Sequence, residues 1–224
     1  MKKVNALCLM LALVLRTFSI YAEEIGNSNV DFQLRIPFHA QYVPESWKVD
    51  DKTELGIAGW AVLPDVMARG NNTATLFACG PLLKYGDGSW AEIMGGCKRN
   101  EDGYTDPFVN LRFLEKRISR LNIGGDLEYY PGEERRRFYS LLTADTPISL
   151  GKYSMRAGLE SENIFFFSGK KDSFGVGPRI VFPIPQKLSP HFAVALTIGY
   201  QHRTDRDFLR CYLVFTYPPF HKRK

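Results

Sequence analysis

The chain has 224 residues, of which 45% are apolar, 24% charged and 13% aromatic, a balance that excludes collagen-like, coiled-coil and generally disordered classes. Its formal charge is +5, but with Lys2, Lys3 and Arg16 set aside in a removable leader, 26 basic residues face 24 acidic ones, about +2, too little for a nucleic-acid-binding surface. The one long apolar run lies at the extreme N-terminus, which excludes a polytopic helical membrane protein.

Residues 1–22 carry a basic start (Lys2, Lys3), an apolar stretch from Ala6 to Leu15 and a short polar segment ending Ile20-Tyr21-Ala22 before Glu23-Glu24. This reads as a secretory signal peptide, because the apolar part is shorter than the roughly 20 residues a bilayer-spanning helix needs. Residues 23–54 hold Pro37, Pro44 and the charged segment Lys48 to Glu54, and read as a periplasmic lead-in or as the source of one short strand at Phe32 to Phe38.

From Leu55 onward, short segments alternate apolar and polar residues between Gly, Pro, Asp and Asn, the signature of strands with one greasy face. Ten are expected: 55–63, 73–84, 89–98, 107–115, 119–130, 135–145, 150–160, 174–184, 190–201 and 207–217. The segment Phe192 to Gln201 sets Phe192, Val194, Leu196, Ile198 and Tyr200 against Ala193, Ala195, Thr197, Gly199 and Gln201. The strands approach the 9 to 11 residues of a tilted membrane-crossing strand and exceed the usual 5 or 6 of soluble sheets. Long and short connections mostly alternate, and an even strand number leaves both termini on one side. Pro81, Pro178 and Pro183 each remove a ladder hydrogen bond and are expected at strand ends or bulges.

The segment Leu55 to Tyr217 resembles a small bacterial outer-membrane β-barrel, on pattern and not on a diagnostic motif. The resemblance implies a closed, antiparallel, up-and-down transmembrane barrel of about ten strands, eight being the alternative count, in contact with outer-membrane lipid and lipopolysaccharide. Tyr85, Trp90, Phe108, Tyr129, Tyr130, Phe138, Tyr139, Tyr153, Tyr200 and Tyr217 fall near strand ends, where interfacial girdles sit. The final strand, with Leu213, Phe215 and Tyr217, looks like the signal read by the assembly machinery, and the basic tail at 218–224 departs from that pattern.

In that barrel Arg112, Arg120, Asp126, Glu128, Lys152, Arg156, Glu160, Arg179 and Arg210 line the lumen, either as a salt-bridged plug or as a thin anion-preferring passage. The function expected is structural, interaction-bearing or that of a minor channel. Two alternatives stand beside it. One is a soluble periplasmic barrel or sandwich with its apolar faces inward around a small apolar ligand. The other is an outer-membrane hydrolase using His202, Asp205 and Asp207 on an outer loop, where lipid A hydrolases and membrane proteases of similar barrel size keep such groups. No CxxC is present and the four histidines are scattered, so neither a metal nor a cofactor is expected. Cys79 and Cys97 flank the turn Gly86-Asp87-Gly88 and read either as a cross-strand disulfide or as small apolar wall residues.

Overall fold

The computed structural model describes residues 30–67, 73–86, 88–100, 102–116, 118, 120–132, 135–151, 153–185, 192–204 and 206–217. The leader at 1–22, the tail at 218–224, Lys152 and Asp205 lie outside the described residues. Eleven strands follow in order: β1 Val30–Tyr42, β2 Thr53–Met67, β3 Thr73–Tyr85, β4 Ser89–Asn100, β5 Thr105–Glu115, β6 Asn122–Tyr130, β7 Arg137–Leu150, β8 Tyr153–Phe166, β9 Ser173–Ile184, β10 Ala193–Arg203 and β11 Asp207–Tyr217. Each pairs antiparallel with its sequence neighbour, and β1 pairs with β11 to close the barrel.

The ten expected strands are all present, and the count rises to eleven because Val30–Tyr42 is a full strand and not a lead-in with a short strand. Its alternation is complete: Phe32, Leu34, Ile36, Phe38, Ala40 and Tyr42 fall on one face, and Asp31, Gln33, Arg35, Pro37, His39 and Gln41 on the other. Pro37 does not reverse the faces: the offset to β11 is unchanged across it, and the register shift beside it is an extra residue in β2 between Val62 and Asp65, where the β2–β3 ladder shifts too. An odd number of antiparallel strands makes the first and last run the same way, so closure is parallel, with Val30 opposite Asp207 and Leu34 opposite Cys211. The first residue of β1 and the last of β11 therefore sit at opposite ends, not on one side as an even count requires.

Burial sorts the faces. Leu159 (59% exposed), Ile93, Val109, Val176 and Phe77 point outward around the wall, while Asp31, Gln33, Asn110, Glu92, Glu160 and Arg210 are buried within. Large apolar side chains thus face outward and charged ones inward, the reverse of what a barrel closed around a small apolar ligand requires. Part of the interior on β2 to β5 is apolar, with Ala58, Leu76, Leu82, Met94 and Phe108 packed together, beside the charged Glu92 on β4 and Arg112 on β5. Of the expected girdle, Phe108, Tyr130 and Tyr139 are buried inside, and only part of the set, such as Tyr129 and Tyr200, faces outward.

Pro81 and Pro178 sit within strands rather than at their ends, each beside a two-residue gap in one ladder, between β3 and β4 and between β9 and β10. The expected alternation of loop lengths is lost because β2, β4 and β8 run on to Met67, Asn100 and Phe166, lengthening hairpins where loops were expected. Gly86 and Gly88 have φ of 57° and 87°, as the β3–β4 turn requires. Cys79 and Cys97 are free and exposed on the outer wall, with Cys79 opposite Gly95 and Cys97 opposite Phe77, a diagonal offset that no disulfide spans.

Candidate functional site: the charged lumen

Side chains at every second position of each strand must enter the interior, and in β1 and β5 to β11 many of these are charged. A buried charge is costly unless paired, and the pairing here runs between strands distant in sequence. In one cluster His39 Nε2 and Gln41 Nε2 both lie 2.6 Å from Glu92 Oε1, tying β1 to β4. Arg112 reaches Glu92 Oε2 at 3.4 Å and Asp126 Oδ2 at 3.6 Å, with its guanidinium 3.6 Å from the Trp60 ring centroid. Asp126 also accepts a hydrogen bond from Asn110 at 2.5 Å.

A second cluster joins β8, β10, β11 and β1. Arg210, 1% exposed, donates to Glu162 at 2.5 Å, to Glu160 at 3.3 Å and to Gln33 at 2.9 Å. Arg203 also donates to Glu162, and the Tyr139 hydroxyl donates to it at 2.6 Å. Arg35 crosses from β1 to the Tyr139 hydroxyl at 3.3 Å. A third cluster has Asp145 facing both Arg156 (3.4 Å) and Arg179 (3.8 Å), with Asn122 donating to it at 3.2 Å.

The structure therefore places Arg112, Asp126, Glu128, Arg156, Glu160, Arg179 and Arg210 inside, as the alternation predicts. Glu128 accepts the Tyr130 hydroxyl at 2.5 Å. Arg120 is a correction. It is exposed in the turn before β6, which starts at Asn122, and its carbonyl accepts a hydrogen bond from Thr146. Sequence reasoning missed Arg35, His39, Glu92, Asp145, Glu162 and Tyr212. For the β1 pair, the signal was the alternation described above; for the others, it was parity within strands already recognised.

His202 and Asp207 do come together, with Nδ1 2.7 Å from Oδ1, and the Tyr200 hydroxyl donates to the other oxygen of Asp207 at 2.5 Å. The group lies on the outer wall beside the β10–β11 connection, with the His202 side chain 80% exposed. Asp207 is the single hydrogen-bond partner of His202 among the described residues, so the pair has a base but no attached nucleophile.

Inside the barrel a cavity of about 1260 Å³ is lined from Lys170, Lys171 and Arg206 at one end to Leu114 and Thr216 at the other. Among the described residues, eleven basic side chains and seven acidic ones contribute to its lining, an excess of four positive charges. Compared with known protein families, curated proteins and solved structures, the chain matches none.

Proposed function

We propose that this protein is an integral outer-membrane β-barrel whose lumen is a narrow passage for small anions. The observation that carries the reading is the division of the wall: large apolar side chains point outward on every side of the barrel, and paired charges fill part of an interior that retains a cavity of about 1260 Å³. Lipid offers no hydrogen-bond partners to a backbone, so a membrane-crossing sheet must be closed, and this one is. The ion pairs brace the narrow lumen, while the surplus of basic lining groups raises the local concentration of anions. Both features weighed for the lumen, bracing and passage, are then parts of one arrangement.

Reconstitution in a planar bilayer tests this. Discrete conductance steps with a reversal potential displaced toward that of chloride in a potassium chloride gradient are expected. A sealed bilayer, or a cation-directed reversal potential, contradicts the passage.

A further inference from the structure

We propose that Arg179 and Tyr212 form a binding station for a small oxyanion, phosphate or carboxylate, halfway along the lumen. The proposal rests on the passage reading for ion access to the lumen, and its test separates the two. Both residues lie at the middle of their strands, β9 and β11, and both line the cavity. The residues paired with Arg179 on either side are glycines, Gly158 on β8 and Gly199 on β10, with Asp145 across Gly158 and the Glu160 carboxylate over Gly199.

The donors there are incompletely used. The Tyr212 hydroxyl is buried and has no hydrogen-bond partner among the described residues, although its ring lies beside Arg35 (5.8 Å) and Arg210 (5.3 Å). Arg179 Nε is likewise without a hydrogen bond; its nearest carboxylate oxygen, on Asp145, is 3.8 Å away and that carboxylate also serves Arg156. An unmatched buried donor is costly, so a group that supplies oxygens is favoured there. Charge agrees: among the described residues the cavity lining carries more basic than acidic side chains. Asp145 lies in this row and lines the cavity, whereas Glu160, over Gly199, is held through Oε1 by Arg210 and Gln201 and does not line it.

An oxyanion placed between Arg179 and Tyr212 accepts from both and neutralises part of the excess charge. A phosphate and a carboxylate present the same acceptors, so inorganic phosphate and acetate are both used as probes.

The test is calorimetric titration of the full-length protein in detergent, alongside bilayer conductance. Saturable binding of at least one probe is expected, with Tyr212→Phe weakening it about tenfold, the loss of one hydrogen bond to a charged group. Because that hydroxyl has no partner, Tyr212→Phe leaves the unfolding midpoint without the probe unchanged or raised, which keeps the variant informative even where Arg179→Gln does not fold. Folded Arg179→Gln abolishes binding. No saturable signal in the wild type, or unchanged affinity in Tyr212→Phe, overturns the station. Conductance without saturable binding overturns the station and leaves the passage standing; saturable binding without conductance does the reverse.

Discussion

Arg210 Nη2 lies 2.5 Å from Glu162 Oε1, joining β11 to β8 through the interior of the barrel. The same guanidinium serves Glu160, so one buried cation stands between two buried carboxylates. Arg210→Met removes the one ion pair that Glu160 makes among the described residues and leaves Glu162 with Arg203 and the Tyr139 hydroxyl. The expected cost is about 3–5 kcal/mol, the usual penalty for an uncompensated buried charge. It is read as a lowered urea midpoint, and adding Glu160→Gln and Glu162→Gln recovers most of it. A midpoint unchanged in Arg210→Met would show that the network contributes nothing to closure.

The parallel seam is open to a chemical test, because Cys211 is free and sits opposite Leu34. Paired strands are spaced about 4.7–4.9 Å apart, within the span a disulfide accepts between α-carbons. Oxidised Leu34→Cys should form an intramolecular disulfide with Cys211, seen as a reducible shift in gel mobility and as a cross-linked peptide. Gln33→Cys, facing the lumen, should not. Failure of Leu34→Cys to cross-link in folded protein would remove β1 from the barrel.

On the outer wall, Leu159 lies at the middle of β8 and is 59% exposed. In a membrane this is a mid-plane position, and Leu159→Arg should cost about 2–4 kcal/mol, falling to about 0–1 for Ile148→Arg, exposed two residues from the end of β7. Folding yield into vesicles compares the two. Equal tolerance at both positions is what a water-facing wall would give.

Two glycines provide a packing control. A β-carbon on Gly158 would sit 1.9 Å from the Ala144 carbonyl oxygen, whereas one on Gly95 meets nothing within 4 Å. Gly158→Ala should therefore destabilise by about 1–3 kcal/mol and Gly95→Ala should be near neutral, both by urea unfolding. Similar midpoints for the two would contradict the close approach of β7 and β8 at this point.

Much of the wall was legible from alternation alone. Alternation from 55 to 217 puts Asp126, Glu160 and Arg210 on the polar face of their strands, and burial shows that this face is the inner one. What parity could not supply was which groups meet. Arg210 is 48 residues from Glu162, and His39 is 53 from Glu92; such contacts depend on barrel closure and stagger, which local pattern does not encode. β1 escapes a local reading because Pro37, Pro44 and the charged segment from Lys48 obscure it, yet the offset to β11 holds across Pro37 and both faces stay intact. Arg120 was placed inside because strand ends are the least determined feature of a pattern, and two residues of turn were enough to put it outside.

The central claim is that the apolar face of this closed sheet meets lipid. Fractionation of expressing cells, followed by gel mobility of the detergent-extracted protein with and without boiling, tests it most directly. Recovery with the outer membrane and a heat-dependent shift is the predicted result. Recovery as a soluble periplasmic protein with no shift would contradict the account.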